Sequence, residues 1–419
     1  MTATPFLVTE RGIEKDPLAQ DRARAHLRAM PDGADPLTIQ IQSDLAKVSA
    51  ADWDACAGES NPFVSHGFLS ALEESGSVTP ETGWLPQHLT IPDRQGRLLA
   101  ALPLYLKSHS YGEYVFDWGW ADAYERAGGR YYPKLQCSVP FTPVTGPRLL
   151  INTTEAEDEQ HKKLRDGLVA AMMQLAEKQS VSSLHITFPT KEEFDFLGEA
   201  GFLRRTGVQY HWINQDYQCF DDFLASLQSR KRKAIKKERR QVVEAGITFE
   251  CLRGEEIKAA DWDIFYRFYL ATIDKKWSHP YLTRDFFDLL GQRLGDKVVL
   301  ITARRDGRTI AGALNLIGGD TLYGRNWGCD ETHAFLHFEA CYYQAIDTAI
   351  KLGLKRVEAG AQGEHKIQRG YLPVPTYSTH WIADPSFRRA VEDFLKREKT
   401  EMTFRRHALA GHSPYRQEG

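Results

Sequence analysis

The chain has 419 residues, of which 42% are hydrophobic, so it is long enough to bury a large core and to divide into two or three domains. Its formal net charge of −3 excludes a global attraction to nucleic acid or anionic membranes, and any such binding requires a local basic patch. The six cysteines are scattered and form no C-x-x-C pair. This spacing argues against a structural zinc site or a disulfide framework, and we predict no bound metal.

The N-terminal stretch, residues 1–36, is charged, lacks periodic apolar positions and closes with Pro-Asp-Gly and Asp-Pro turns. We predict that it is an extension outside the folded domains. It contains no apolar segment typical of a secretory leader, and the chain has no span of about 20 apolar residues. The sequence therefore predicts a cytoplasmic protein with no membrane span.

An internal repeat follows, whose markers recur in the same order. The pentapeptide AADWD occupies residues 50–54 and again 259–263, which are 209 positions apart. A Trp-Gly pair at 118–119 recurs at the same spacing, at 327–328. Two copies of one unit are the simplest explanation of this order.

The second half of each copy shows that the first copy is longer. The segment GFL…HWI at 201–213 corresponds to GYL…HWI at 370–382, a spacing of only 169 residues. The first copy therefore contains about 40 additional residues, which we place in 128–150 and in the acidic run 154–160.

Both copies show the same predicted elements in chain order. A helix follows AADWD, and two strands then flank an Asp/Arg-x-Gly turn, in HLTIPDRQGRLLAALPLYL and in VVLITARRDGRTIAGALNLI. We expect a third strand to contain the Trp-Gly pair, followed by an apolar-periodic helix, a strand and the HWI segment. This order predicts an α+β fold in which each copy is a mostly antiparallel sheet flanked by helices.

The residues of several motifs resemble those of a known family. Stretches such as PFVSHGFLSALEESG, YYPKLQCSVPFTPVTG and GAQGEHKIQRGYLP resemble FemAB-like proteins of peptidoglycan biosynthesis or recognition, over roughly residues 38–395. The element order resembles the tandem GNAT-fold arrangement of Fem-type aminoacyltransferases. The resemblance implies two tandem GNAT-like domains and the transfer of an acyl or aminoacyl group to an amine.

We predict the following division of the chain: extension 1–36, first GNAT-like domain 37–218, basic connecting helix 219–246, second GNAT-like domain 247–396 and C-terminal tail 397–419.

The connecting helix is strongly basic, with eight Lys or Arg against one Glu between residues 230 and 240. It resembles the element that opens the second domain of Fem-type enzymes. One interpretation of this charge is that it only forms the solvent-exposed face of the helix. The other is a surface that binds phosphates of a donor such as tRNA, carried by Arg230, Lys233, Lys237 and Arg240, with Leu224, Leu227, Ile235 and Val242 as an apolar stripe.

Two classes of acyl donor are compatible with the sequence, acyl-CoA and aminoacyl-tRNA. GNAT enzymes hold coenzyme A with backbone N–H groups at a Gly-rich turn before a helix. The first copy offers only a weak match, Gly128-Gly129 after Arg126, and the second copy, GCDETHAFLHFEACYY, has no such glycines. We therefore expect no tightly bound cofactor, and we favour aminoacyl-tRNA over acyl-CoA as the donor.

The polar run EAGAQGEHKIQRGYLP follows the last predicted strand before the HWI segment of the second copy. At the same position the first copy has FPTKEEFDF, which carries fewer residues suited to catalysis. Because one catalytic centre suffices, we predict that it lies in the second copy, with His365 as a base and Lys366 and Arg369 as anion-binding groups. The predicted catalytic residues are Glu364, His365, Lys366, Glu339 and Tyr343. The predicted substrate-binding residues of this copy are Arg325, Trp327, His337, Gln362, Arg369 and Tyr371. Alternatively, Glu339 and Tyr343 form only buried hydrogen bonds.

The first copy contributes aromatic-rich loops, which are either core or the wall of a binding cleft. The predicted substrate-binding residues there are Lys107, Glu113, Trp118, Tyr132, Lys134 and Arg148. Sugar, peptide and base stacking are all compatible with them. Three functions compete: Fem-like aminoacyl transfer from tRNA to an amine, acyl-CoA-dependent N-acylation, and non-catalytic recognition of cell-wall precursors.

Overall fold

The computed structural model describes residues 37–153, 158–274, 279–360 and 363–416. The predicted extension 1–36 and the predicted substrate-binding residue Gln362 lie outside the described residues.

The described helices alternate with strands along both copies. The helices are α1 Ala50–Ala57, α2 His66–Glu74, α3 Trp118–Arg126, α4 Asp158–Lys178, α5 Lys191–Glu199, α6 Phe220–Ser226, α7 Ser229–Glu244, α8 Ala259–Asp274, α9 Arg284–Leu294, α10 and α11 Pro385–Ala410. Helix α10 has three parts, Leu336–Phe338, a π-helical turn Glu339–Tyr343, and Gln344–Lys351. None of these described helices combines the length and the apolar composition needed to cross a bilayer.

The described strands form two sheets. The strands are β1 Gln40–Gln42, β2 Trp84–Pro86, β3 His88–Pro92, β4 Leu98–Leu102, β5 Leu104–Lys107, β6 Lys134–Cys137, β7 Leu150–Ile151, β8 Ser183–Thr187, β9 Leu203–Ile213, β10 Thr248–Arg253, β11 Val298–Arg305, β12 Arg308–Gly318, β13 Thr321–Cys329, β14 Arg356–Glu358 and β15 Leu372–Ile382. One sheet has four strands, in the order β1-β3-β4-β7, and the other has eleven, in the order β10-β11-β12-β13-β14-β9-β15-β8-β6-β5-β2.

The predicted α+β class is confirmed, since the strand pairs are antiparallel except β6 with β8 and β13 with β14. Both Asp/Arg-x-Gly turns join antiparallel strands, β3 to β4 and β11 to β12. Gly96 and Gly307 have φ of 88° and 76° in these turns, a conformation that favours glycine because it has no Cβ.

The two copies exchange their last strands. Strand β9 of the first copy pairs with β14 of the second, while β15 of the second copy pairs with β8 of the first. The exchanged strands also pair with each other over nine positions, from Leu372 with His211 to His380 with Leu203. The HWI segments thus lie at the join, and the copies form one continuous sheet.

Two sequence predictions about the first copy are corrected. The Trp118-Gly119 pair begins helix α3, whereas Trp327-Gly328 lies in strand β13 as predicted. The structural counterpart of β13 is β6, which pairs in parallel with β8 as β13 does with β14. The additional residues also begin earlier than predicted, since 108–133 join β5 to β6 where two residues join β12 to β13.

Candidate functional site

In the second copy, the two parallel strands β13 and β14 separate at a buried glutamate. Strands β13 and β14 pair at three positions only, the last being Tyr323 with Glu358, and β13 continues to Cys329. The Glu358 side chain is 4% exposed, and its Oε2 atom has no hydrogen-bond partner. His211 Nε2 lies 3.7 Å from Glu358 Oε1. Burial raises the pKa of Glu358 to about 7, against the opposing charges of Arg356 and Arg325.

Glu358 was missed by the sequence predictions, although it is the first residue of the polar run. The available signal was a single acid at the end of the strand KRVEA. A carboxylate without a full set of partners in a buried position is costly, and such groups concentrate at functional sites.

Arg325 and Trp327 lie on the part of β13 that extends past Glu358. Arg325 Nη2 donates to the carbonyl oxygen of Phe141 at 3.0 Å, which ties this strand to a loop of the first copy. The Trp327 ring lies 5.4 Å from the ring of His337 at the start of α10. These predicted substrate-binding residues therefore line the place where the strands diverge.

The predicted catalytic run forms a short 3₁₀ helix, Glu364–Arg369, between Gly363 and Gly370. These glycines have φ of 108° and 91°, and a Cβ on Gly370 would lie 2.8 Å from the Phe223 ring. His365 is exposed, and its Nε2 atom is 3.0 Å from the hydroxyl of Tyr342. Burial, Arg369 and Lys366 lower the pKa of His365, which favours the neutral imidazole required of a base.

The two residues that flank His365 in the run, Glu364 and Lys366, make different contacts. Lys366 is buried, and its Nζ donates to the carbonyl oxygens of Ala359 and Gly360 at 2.6 and 3.2 Å. Burial lowers the pKa of Lys366 to about 8. Glu364 faces outward and accepts from Arg405 Nη2 at 2.7 Å. Lys366 therefore secures the end of β14, and Glu364 lies apart from the buried groups.

Glu339 and Tyr343 lie in the π-helical turn of α10, and both face α7. Glu339 accepts from Arg239 Nε at 3.1 and 3.2 Å, and the Tyr343 hydroxyl donates to Glu238. Both are buried, as the predicted alternative of structural hydrogen bonds requires. π-Helical turns are frequent at functional sites, because the extra residue changes the direction of the following side chains.

Arg369 and Tyr371 hold the polar run against α10. Arg369 Nη2 donates to both carboxylate oxygens of Glu238 at 2.9 and 3.1 Å, and its guanidinium lies 3.5 Å from the centre of the Phe338 ring. The Tyr371 hydroxyl donates to the carbonyl oxygen of Tyr342 at 3.1 Å. Both side chains make protein contacts that position the run.

In the first copy, four predicted residues converge on a buried ionic group. Lys134 Nζ donates to Ser110 Oγ, Glu113 Oε2 and Asp117 Oδ2 at 2.8, 2.7 and 2.5 Å. Burial opposes its charge, but the two carboxylates outweigh burial and raise the pKa of Lys134. We call Ser110, Glu113, Asp117, Tyr132 and Lys134, together with Lys107, the first-copy cluster.

Other members complete this cluster. The Tyr132 hydroxyl is 2.8 Å from Ser110 Oγ, and Lys107 Nζ donates to the carbonyl oxygen of Tyr111 at 3.2 Å. Burial raises the pKa of Glu113 to about 7 and lowers that of Lys107 to about 7. Asp117 was not predicted, although it directly precedes the Trp-Gly pair.

Two further predicted residues of the first copy, Trp118 and Arg148, are not members of the first-copy cluster. Trp118 is 39% exposed, and its ring lies 4.8 Å from that of Tyr111. Arg148 is fully buried, and its guanidinium donates to the carbonyl oxygens of Val144, Gly146, Pro147 and Thr187. The prediction that Arg148 binds substrate is corrected, because these carbonyls occupy its guanidinium.

A buried polar face of the large sheet joins the two regions. Residues opposite one another on paired strands share a face of the sheet. His185 on β8 pairs with His380 on β15, with 2.7 Å between their Nδ1 atoms, and Glu358 pairs with His211 at the equivalent position of the second copy. Buried polar residues on this face include Lys107, Lys134, Gln136, Ser183, His185, Thr187, Gln209, His211, Glu358, Thr376, Ser378 and His380.

The predicted basic helix is two helices, α6 and α7, which meet at Leu227-Gln228. The predicted single apolar stripe is therefore divided, with Leu224 on α6 and Ile235 and Val242 on α7. The four cations predicted to bind phosphates are all exposed on α7: Arg230, Lys233, Lys237 and Arg240. Arg240 Nε lies 3.5 Å from Glu244, one turn away.

The segment before α10, which corresponds to the turn that holds coenzyme A in GNAT enzymes, contains Asp330 and Glu331. Asp330 pairs with Arg267, and Glu331 with Arg305 and Arg308. The backbone N–H of Asp330 donates to Ile310, and that of Leu336 to His333. Both carboxylates of this segment are therefore paired with arginines.

The solved structure of FemX agrees with this architecture. The crystal structure of FemX superposes with a TM-score of 0.51 at 12% identity, covering 82% of this chain and 98% of FemX. A C-terminal domain of a putative lysylphosphatidylglycerol synthetase from Agrobacterium fabrum has a TM-score of 0.48 at 9% identity, covering 82% and 95%. Among curated proteins, none matches this sequence.

A tandem GNAT protein of clavulanic acid biosynthesis has a TM-score of 0.45 at 11% identity, covering 84% of this chain and 99% of that protein. The FemAB-like family model, described as peptidoglycan biosynthesis/recognition, matches residues 44–417. The chain therefore belongs to the FemAB-like family, and its fold, built of two copies of one α+β unit, is similar to that of FemX.

Proposed function

We propose that this enzyme transfers an aminoacyl group from aminoacyl-tRNA to an amine, with the chemistry where β13 and β14 part. One observation carries this proposal: the buried carboxylate of Glu358 has a pKa near 7 and Arg356 only at 3.9 Å, whereas Glu113 of the first copy is held by Lys134 at 2.7 Å. Amide formation requires a base that is partly deprotonated at neutral pH and close to the attacking nitrogen.

The proposed reaction balances with the protein's own groups. The acceptor nitrogen attacks the ester carbonyl carbon, and Glu358 Oε2 takes the proton that the nitrogen loses. The ester C–O bond then breaks, and the proton passes to the departing ribose oxygen. Neutral His365 at the mouth of the site is the second group able to move this proton, with Tyr342 fixing its ring.

The charge distribution supports tRNA as the donor. The four exposed cations of α7 offer a surface for a phosphate backbone. The family description supports an amine of a cell-wall precursor as the acceptor. Trp118 and Tyr111, both exposed beside the first-copy cluster, are suited to stack on such a molecule.

Thermal-shift measurements with acetyl-CoA and with charged tRNA, at two salt concentrations, test the donor. We expect a salt-dependent shift with tRNA and none with acetyl-CoA. Replacing Arg230, Lys233, Lys237 and Arg240 together by alanine should reduce the slope of log K against log salt by about 3 to 4. A strong acetyl-CoA shift without salt-dependent tRNA binding would contradict the proposal.

A further inference from the structure

Helix α7 has two faces with different partners. Ile235 and Val242 are buried, and Glu238 and Arg239 lie between them on the same side. The four exposed cations lie on the other side. The single acid between residues 230 and 240 is thus directed into the protein, away from the side that carries these four cations.

The inward pair contacts two separate elements. Glu238 accepts from Arg369 of the 3₁₀ helix and from Tyr343 of α10. Arg239 donates to Glu339, and its Nη2 donates to Asp347 at 3.0 Å. One helix therefore connects the polar run to the π-helical turn through side chains of opposite charge.

The Glu238 contact continues to His365. Arg369 Nη1 donates to the carbonyl oxygen of His365 at 2.9 Å, while Nη2 is held by Glu238. The charged hydrogen bonds and the Phe338 ring beneath the guanidinium fix its position. Moving the Glu238 carboxylate therefore moves the backbone of the residue that carries the imidazole.

The polar run needs such support because glycines bound it. Gly360, Gly363 and Gly370 all have positive φ, and a Cβ on Gly360 would meet nothing within 4 Å. Glycine permits many backbone conformations, so the run is placed by its side-chain contacts more than by its own backbone.

We infer that Glu238 is a positioning residue that couples occupancy of the exposed face of α7 to the placement of His365. Phosphates bound to Lys237 and Arg240 would hold α7 in place, and with it the Glu238 carboxylate on the opposite side of the helix. Glu238 would then hold Arg369, and through Arg369 the backbone of His365, in one position. Donor docking would in this way order the catalytic run. The inference rests on the proposed function for its ligand but not for the Glu238 contacts.

Glu238→Gln tests this inference, with Glu244→Gln as a matched control on the same helix. Glu244 is exposed and contacts Arg240, so both changes remove one negative charge from α7. Hydrogen exchange of residues 363–370 is measured by mass spectrometry, with and without unfractionated tRNA. We expect Glu238→Gln to speed exchange of this segment at least tenfold and Glu244→Gln to leave it unchanged. Added tRNA should slow this exchange in the wild type and in Glu244→Gln only.

Kinetics add a readout that a purely structural role would not change. We expect Glu238→Gln to lower kcat about tenfold while tRNA binds as tightly as to the wild type, or more tightly. Equal exchange in the two variants overturns the inference. If Glu238→Gln speeds exchange but tRNA binds to neither the wild type nor the control, the coupling and the tRNA donor are overturned, and Glu238 as a support of the run is upheld.

Discussion

The two copies place buried charge on the same sheet face in different ways. In the first copy, Lys134 neutralises Glu113 and Asp117 through direct contacts of 2.7 and 2.5 Å. In the second copy, Arg356 lies 3.9 Å from one oxygen of Glu358, beyond hydrogen-bond distance. The other oxygen of Glu358, like Glu113 Oε1 and Asp117 Oδ1, has no hydrogen-bond partner, so the two copies differ in the distance to the cation. A paired charge holds a structure together, whereas an incompletely paired one is available for chemistry.

Removing the second-copy carboxylate should have the largest effect. Glu358→Gln keeps the shape of the side chain but cannot accept a proton, so we expect turnover to fall about 10² to 10⁴-fold. The rise of kcat through pH 7 should disappear with it. Steady-state kinetics from pH 5.5 to 8.5 measure both.

Glu113→Gln makes the same change in the first copy, so that the effects of the two buried glutamates on turnover can be compared. There we expect kcat to stay within a few-fold of the wild type, because Glu113 is a neighbour of Lys134 and not of the proposed reacting atoms. A larger fall in kcat for Glu113→Gln than for Glu358→Gln would reverse the roles of the two copies.

Removing the first-copy cation should chiefly destabilise the protein. Lys134→Met leaves two buried carboxylates without a counterion, and breaking a buried pair in this way costs about 3 to 5 kcal/mol. Urea unfolding at pH 7.5 measures the free energy of unfolding. The control Lys162→Met removes an exposed pair with Asp166, for which about 0 to 1 kcal/mol is expected. Similar losses in both variants would show that the Lys134 network is not a stabilising centre.

Stability should also depend on pH through both glutamates. Glu113 and Glu358 have an ordinary pKa of 4.5 and a pKa near 7 in the folded protein. The folded state then binds more protons between these values, so the free energy of unfolding should fall as pH rises from about 4.5 through 7. Each unit by which folding raises a pKa corresponds to about 1.4 kcal/mol of unfolding free energy. Urea titrations at pH 5, 6, 7 and 8 should show this decline, and each Glu→Gln variant should flatten it; a decline unchanged in both variants would assign it to other groups.

The smallest effect is expected for Glu364→Ala, although the sequence alone predicts a catalytic role for Glu364. Its carboxylate pairs with Arg405 at the surface, and such pairs contribute about 0 to 1 kcal/mol. We expect turnover within about twofold of the wild type and an unchanged melting temperature. A loss of turnover comparable with that of Glu358→Gln would restore Glu364 to the active site.

The region of the site could be predicted from the sequence, but not its principal acid. The asymmetry between FPTKEEFDF and EAGAQGEHKIQRGYLP directed attention to the polar run, and His365, Arg369 and Tyr371 do lie together beside α10. Chemical roles were harder to assign, because Lys366 and Glu364 have the right side chains but contact backbone carbonyls and a surface arginine. Reactivity depends on burial and partners, and neither can be seen in a residue's identity.

The sequence by itself determined the duplication, the order of most elements and the hairpin turns, because these follow from local periodicity and from glycines that adopt positive φ. The tertiary structure alone decided the exchange of β9 and β15, the polar sheet face and the isolation of Glu358. Those features depend on hydrogen bonds between strands more than a hundred residues apart, such as the pairing of His211 with Glu358. Desolvation follows from that long-range packing, and with it the pKa that suits Glu358 to be a base.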